Sequence, residues 1–387
     1  MLKCFKVNNY KNFKNTVEID FGKVGGYKFN QECVNSGKIS KGIIYGRNAT
    51  GKTNLGMAII DIRSIILGIS MYFRRKDRIL NADSNDKYAS FYYEFEIDGK
   101  CIVYSYKKNN KNELCLEMLK VDNEEIFSVN FEEKKLNCNN LSLINAETIQ
   151  LDKYAEVIKN NNIEDIEEDV INQIPLLRFI LNNAALPVDS PLLKLEDYVE
   201  RMKFNSVTQQ ILRRGVRLEE SFTDFLSLKN NLRDFEKFLN EMGVKCELQL
   251  VKTVEGHYEL FFGYNNLIPF YETASSGTLS LATFYRRYIA IMGEPSFVFM
   301  DEFDAFYHYE MAEKLVDYLK TRYRECQVLL TTHNTNLMTN QLMRPDCLFI
   351  LSRNGRLTAL CDATERELRE GHNLEKLYIG GEFEKYE

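Results

Sequence analysis

Apolar and polar positions alternate in two rhythms along this chain. The segment KGIIYGRNATGKTNLGMAIIDIRSIILGI opens on an apolar run at 43–45, the mark of a short buried strand. A glycine-bounded turn follows. From Lys52 onward, apolar residues fall at helical spacing at Leu55, Ile59, Ile62 and Ile66. The next segment, YASFYYEFEIDGKCIVYSYKKNN, alternates β-formers about Asp98 and Gly99, a two-residue hairpin signal. More β-like sequence runs from 114 to 129, so an antiparallel sheet is expected as an insertion after the first helix.

Residues 150–243 read as mostly helical. Phe225, Leu228, Leu232, Phe235, Leu239 and Met242 line one face of an expected helix that stops at Gly243. That stripe is too short for a long coiled-coil arm. Packing on its own domain is the favoured reading, and a partner-binding face is the alternative. Another hairpin is expected in KCELQLVKTVEGHYELFFGY, turning near Glu255 and Gly256. A helix near 278–292, a strand at 297–300, a helix near 309–323 and strands at 328–331 and 348–351 complete the pattern. Strand–helix alternation of this kind indicates a parallel α/β sheet. Four parts are expected: 1–86 and 244–387 as two halves of one α/β head, 87–149 as a β insertion, and 150–243 as a helical lobe.

Composition narrows the classes. The chain has 387 residues with 50 Lys and Arg against 56 Asp and Glu, a net charge of −6. That excludes a uniformly basic nucleic-acid coat but leaves room for a local basic groove. The N-terminal sequence lacks the apolar core of a signal peptide. The apolar run at 59–73 is broken by Asp61 and Arg63, so no membrane span is expected. Nine scattered cysteines without a CxxC pair fit reduced thiols in a cytoplasmic protein.

Four motifs carry chemistry. GRNATGKT, residues 46–53, fits G-x-x-x-x-G-K-[ST] in a strand–loop–helix setting. Gly46 and Gly51 let the backbone curl so that the N–H groups of Arg47, Asn48, Ala49 and Thr50 face a phosphate. Lys52 sets a positive charge against the β- and γ-phosphates, the Thr53 hydroxyl can ligate Mg²⁺, and the helix start favours the anion. FVFMDE delivers Asp301 and Glu302 to the end of a buried strand, where Asp301 can hold Mg²⁺ and Glu302 can polarise water. ETASSGTLSLATFYRRY places Ser275, Ser276 and Gly277 at a helix start, a second anion site in the same chain. One active site does not need two, so the second would cap a nucleotide held by another protomer. LLTTHN ends a strand on His333, which could sense the γ-phosphate or position water.

In chain order, phosphate loop, Ser-x-Gly, apolar-Asp-Glu and His333, the four motifs resemble ABC-type ATPases. Asn48 and the following Asn54, with the opening VNNYKNFKNTVEIDF, resemble the SMC and RecF branch. DEFDAFYH and LEKLYIGGEF resemble compact OLD-like ATPases of phage defence, including the Septu PtuA type. The resemblance covers about 1–60 and 264–383. It implies a P-loop ABC-type ATPase head with ATP and Mg²⁺ as cofactors. It implies that Asp301 and Glu302 are the metal and catalytic acids, that His333 is the switch residue, and that Ser275 and Gly277 are signature residues. Asp304 matches a dimer-contact acid. There are three departures. No Gln occurs between Gly51 and Ile149, where the family has its Mg²⁺-sensing Gln. Ser276 and Thr278 replace the Gly and Gln of the transporter signature. The residues after the switch strand are too few for the C-terminal nuclease domain of full OLD proteins.

The implied function is a head-dimer ATPase that gates or scaffolds a separate effector, a nuclease or toxin, in anti-phage defence. The alternative is a RecF-like DNA-repair ATPase acting directly on DNA. A stand-alone nuclease is disfavoured, because the four histidines (His257, His308, His333, His372) are dispersed and no HNH pattern occurs. The basic clusters Arg74-Arg75-Lys76-Arg78, Lys107-Lys108-Lys111 and Arg213-Arg214-Arg217 are expected to be solvated faces and not a tight general DNA site.

Overall fold

The computed structural model describes residues 1–69, 78–160, 173–206, 217–290 and 294–387. It begins with antiparallel strands β1 (Leu2–Asn8) and β2 (Val17–Asp20); burial alternates along β2 and along β1 except at the buried pair Cys4 and Phe5. A small ladder of β3 (Val34–Asn35) and β4 (Lys38–Ile39) leads into β5 (Lys41–Tyr45), buried along its whole length. Helices α1 (Lys52–Ile60) and α2 (Ile62–Ile66) follow.

Next comes a meander of β6 (Ala89–Ile97), β7 (Lys100–Lys108), β8 (Leu114–Val121), β9 (Glu124–Asn130) and β10 (Lys135–Cys138). The β6–β7 hairpin turns on Asp98 and Gly99, whose φ angles of 51° and 76° are those of the tight turn that matches strand twist. The meander does not stand apart. β6 pairs with β1, giving one seven-stranded sheet in the order β10-β9-β8-β7-β6-β1-β2.

Helices at Leu151–Asn160, Leu176–Asn183, Pro191–Glu200, Arg217–Ser227 and Asn231–Glu241 occupy most of 150–243. Two features differ from the sequence reading. The stripe from Phe225 to Met242 spans two helices, not one. Asn230 adopts φ 70°, which ends helical bonding, and the Asn231 amide donates to the Phe225 carbonyl at 2.8 Å. Leu228 in the break is 62% exposed, while Phe235, Leu239 and Met242 remain buried. The second difference is β11 (Met202–Ser206), a strand inside the expected helical lobe.

The rest follows the expected alternation. β12 (Leu248–Lys252), β13 (Tyr258–Gly263) and β14 (Leu267–Pro269) form a small antiparallel sheet. A helix at Ser276–Phe284 continues as a wider π-helical turn, Tyr285–Ala290. β15 (Phe297–Asp301), the helix Tyr309–Arg322, β16 (Gln327–Thr332), β17 (Leu348–Leu351) and β18 (Leu357–Ala359) come last. The second large sheet has the order β11-β15-β16-β5-β17-β18, parallel except for β18 at its edge. No helix among the described residues is long and apolar enough to cross a membrane.

Buried polar groups tie the layers together. Lys108 donates to both Asp61 oxygens, at 2.9 and 2.7 Å, and Tyr106 donates to Asp61 as well. Lys108 is therefore a core cation, which corrects the expectation of a solvated face at that residue. Lys107 beside it is exposed. Residues 74–76 and 213–214 of the other two basic clusters lie outside the described residues. Glu117 on β8 is fully buried and accepts the N–H groups of Leu176 and Leu177, at the start of the helix Leu176–Asn183. The Gln327 amide pairs with both the N–H and the C=O of Leu2, each at 2.8 Å, and so joins the two sheets.

Candidate nucleotide site

Three neighbouring strands, β15, β16 and β5, end at one edge of the parallel sheet. Their C-terminal ends are where ligands bind in folds of this type. The loop after β5 holds Gly46, Arg47, Asn48, Ala49, Thr50 and Gly51. Gly51 has φ 103°, and a Cβ there would lie 2.1 Å from the Asn12 amide nitrogen. Asn12 comes from the turn after β1. Its Nδ2 donates to the Thr50 carbonyl at 2.8 Å, and its Oδ1 accepts from Asn54 Nδ2 at 2.7 Å. One amide thus fastens the end of the loop to the first turn of α1.

Lys52 is the first residue of α1 and is 5% exposed. Its ammonium donates to the carbonyls of Gly46 and Arg47 at 2.8 and 3.2 Å. Burial lowers its pKa, and Asp301, Glu302 and Asp304 oppose that shift. Thr53 donates to Asp301 Oδ2 at 2.7 Å, and Thr331 donates to Asp301 Oδ1 at 2.8 Å. Burial raises the Asp301 carboxyl above the usual carboxylate range, against the pull of those two hydroxyls. Glu302 follows with φ 48°. His333 Nε2 lies 2.9 Å from Lys52 Nζ and 3.4 Å from Glu302 Oε1. Asp304 accepts from Thr332 at 2.7 Å, and its carboxyl is likewise raised by burial.

Lys52, Thr53, Glu302 and His333 line a cleft of about 330 Å³, together with Asn12, Asn48 and Asn54. Two roomier hollows, about 530 and 980 Å³, lie on the seven-stranded sheet and beside β13, and neither includes any of these residues. The smaller cleft is the chemical one, because the Lys52 ammonium, the Glu302 carboxylate, the Thr53 hydroxyl and the His333 imidazole line it, with Asp301 bonded to Thr53 behind them. The donor set suits a guest of mixed charge. A phosphate beside Lys52 and a cation beside Asp301 would each offset a desolvation that the fold leaves partly uncompensated. Hydroxyl and carboxylate oxygens are the hard donors that Mg²⁺ takes, with phosphate oxygens and water completing its shell. Thr53 and Asp301 fit that role.

The structure thus gathers residues 46–54, Asp301, Glu302 and His333 in one place. It does not bring Ser275, Ser276 and Gly277 there. None of the three lines the cleft, and both serines are exposed. Ser275 caps the helix Ser276–Phe284, its hydroxyl accepting from Thr278 N at 3.1 Å. A Cβ on Gly277 would come 2.9 Å from the Phe306 carbonyl, so the loop after Asp304 packs directly under this helix start. Two residues escaped the sequence reading, Asn12 and Thr331. Asn12 lies within the opening VNNYKNFKNTVEIDF, and Thr331 looked like one more strand residue in LLTTHN.

Residues 43–339 match the protein family described as "AAA domain, putative AbiEii toxin, Type IV TA system". The chain belongs to this AAA family. Solved structures similar to this AAA chain include three SMC heads. An Smc head bound to the C-winged helix domain of ScpA is 14% identical, with 90% of this chain and 93% of that one covered and a TM-score of 0.49. The SMC head domain from Thermotoga maritima is 14% identical over 92% and 98%, with a TM-score of 0.44. The Pyrococcus furiosus Smc head with an extended coiled coil, bound to the C-terminal domain of ScpA, is 15% identical over 93% and 96%, with a TM-score of 0.48. No curated protein matches. This AAA chain has a mixed α/β fold, with the G-x-x-x-x-G-K-T loop between β5 and α1.

Proposed function

We propose that this chain is a cytoplasmic ATPase that binds ATP with Mg²⁺ in the cleft, hydrolyses it, and uses a nucleotide-sandwiched dimer to gate a separate effector in phage defence. One observation carries the ATPase reading. Lys52, Thr53, Glu302 and His333 come from three different strand ends and line one cleft, and Asp301 is tied to it through the Thr53 hydroxyl.

In this reading Lys52 turns from the Gly46 and Arg47 carbonyls to the β- and γ-phosphates. Thr53 and Asp301 hold Mg²⁺, which neutralises phosphate charge when bound. Glu302 takes a proton from water as its oxygen attacks the γ-phosphorus. The bond to the bridging oxygen breaks, giving ADP and phosphate. His333 orients the γ-phosphate or the water. Ser275, Ser276 and Gly277 of a second copy close over the phosphates with N–H and hydroxyl donors. Two lines support the effector role: the likeness of DEFDAFYH and LEKLYIGGEF to OLD-like defence ATPases, and a family description that names a toxin of a TA system. The effector is a nuclease or toxin in this view, and DNA is not a tight general ligand.

Lys52→Ala should fold but bind ATP far more weakly by calorimetry. Glu302→Gln should bind ATP and hydrolyse it about 10²–10⁴-fold more slowly, the usual loss when a general base is removed. Wild-type turnover in Glu302→Gln would take that role away from Glu302.

A further inference from the structure

We propose that Thr331 is a positioning residue that sets Asp301 and Glu302 relative to each other. The inference rests on the ATPase reading above. Thr331 is 0% exposed on β16, the strand between β15 and β5. Registry places Met300 opposite Leu330 and Thr331 opposite Ile44, so Thr331 lies beside the end of β15. His333 follows two residues on, just past the end of β16.

A single hydroxyl makes two bonds of opposite sense. Thr331 Oγ1 donates to Asp301 Oδ1 at 2.8 Å and accepts from Glu302 N at 2.8 Å. The Thr331 carbonyl accepts from Phe303 N at 3.2 Å. Two consecutive N–H groups of the turn after Asp301 therefore end on one residue. That turn needs holding, because Glu302 stands at φ 48°, where a side chain with a Cβ is rarely found. Thr332 cannot substitute. Its hydroxyl faces the other way, to Asp304.

Valine has the shape of threonine but offers neither the proton nor the lone pair. In Thr331→Val, Asp301 and the Glu302 amide both lose a buried partner. The Glu302 backbone is then free to leave the left-handed region, and its carboxylate moves with it. Displacements near 1 Å can lower turnover by about 100-fold.

The test compares Thr331→Val, Thr331→Ser and Glu302→Gln for turnover, ATP affinity and backbone hydrogen exchange at Glu302 and Phe303. We expect Thr331→Val to lose roughly ten- to a hundredfold in kcat with ATP affinity within about threefold. Thr331→Ser should stay within about threefold of wild type, and only the valine variant should exchange faster at Glu302. The proposal is overturned if Thr331→Val turns over like wild type while Glu302→Gln is inactive, or if serine and valine lose activity alike. If Thr331→Val does not fold, the wild-type protein decides. Slow exchange at the Glu302 amide supports the bond to Thr331, and exchange at the rate of an open loop removes it. Wild-type turnover in Glu302→Gln would instead overturn the ATPase assignment on which this rests.

Discussion

His333 Nε2 stands between Lys52 and Glu302 and can serve one of them at a time. An imidazole nitrogen accepts from the ammonium or donates to the carboxylate, never both at once. Drawing Lys52 onto a phosphate would release the ring for Glu302 or the phosphate itself. The loop below is fixed as tightly. Gly51 combines φ 103° with an approach of 2.1 Å between a would-be Cβ and Asn12. Gly51→Ala should therefore lower ATP affinity by at least about tenfold, since a left-handed alanine alone costs about 1–2 kcal/mol before any clash. Calorimetry on the folded variant checks this, and unchanged affinity would mean that the loop does not need this conformation. Lys52, Thr53, Asp301, Glu302 and His333 could be read from the sequence because a motif or a strand end flags each one. Asn12 and Thr331 could not. An amide in a turn and a hydroxyl in a strand acquire their partners only when strands far apart in the chain come into register.

Among the elements, hairpins and buried strands were the most legible. Asp98 and Gly99 fix one turn by their own backbone preferences, and β5, β15, β16 and β17 are apolar runs with clear ends. β11 was hidden because MKFNS is short and half polar, and only its pairing with β15 makes it a strand. The junction between β8 and the helix Leu176–Asn183 was also hidden, since a lone Glu117 in a β segment says nothing of what it caps. Burial raises the Glu117 carboxyl from 4.5 to about 7, against the N–H groups of Leu177 and Leu176 and the Tyr104 hydroxyl. The folded chain thus keeps a proton that the unfolded chain gives up. The stability linked to that proton is complete below the ordinary carboxylate range and is lost as pH rises through about 7, at up to about 1.4 kcal/mol per pH unit. Glu117→Gln should flatten the pH dependence of denaturation between about pH 5 and pH 8. Equal slopes in both proteins would mean that Glu117 is already charged inside the fold.

For the whole molecule, the proposed function gives each chain two separate anion-binding features, the cleft and the turn at Ser275 to Gly277. In the proposed two-fold dimer each feature is used twice. Ser275→Arg should keep ATP binding but lose dimer closure and hydrolysis. Mixing Ser275→Arg with Lys52→Ala should restore part of the activity, because one composite site would then carry both lesions and the other neither. If mixed dimers form and remain inactive, the sites are complete within one chain or must fire together. The strand order β16-β5-β17 also bears on how the protein is made. The strand that carries the phosphate loop is made long before both of its sheet neighbours, β16 and β17. At about 5–20 residues per second, roughly 15–60 s pass between synthesis of β5 and arrival of β16. Throughout that interval a nascent chain carries the complete GRNATGKT sequence without the sheet that shapes it, so the proposed nucleotide site can form only after β16 and β17 have been made.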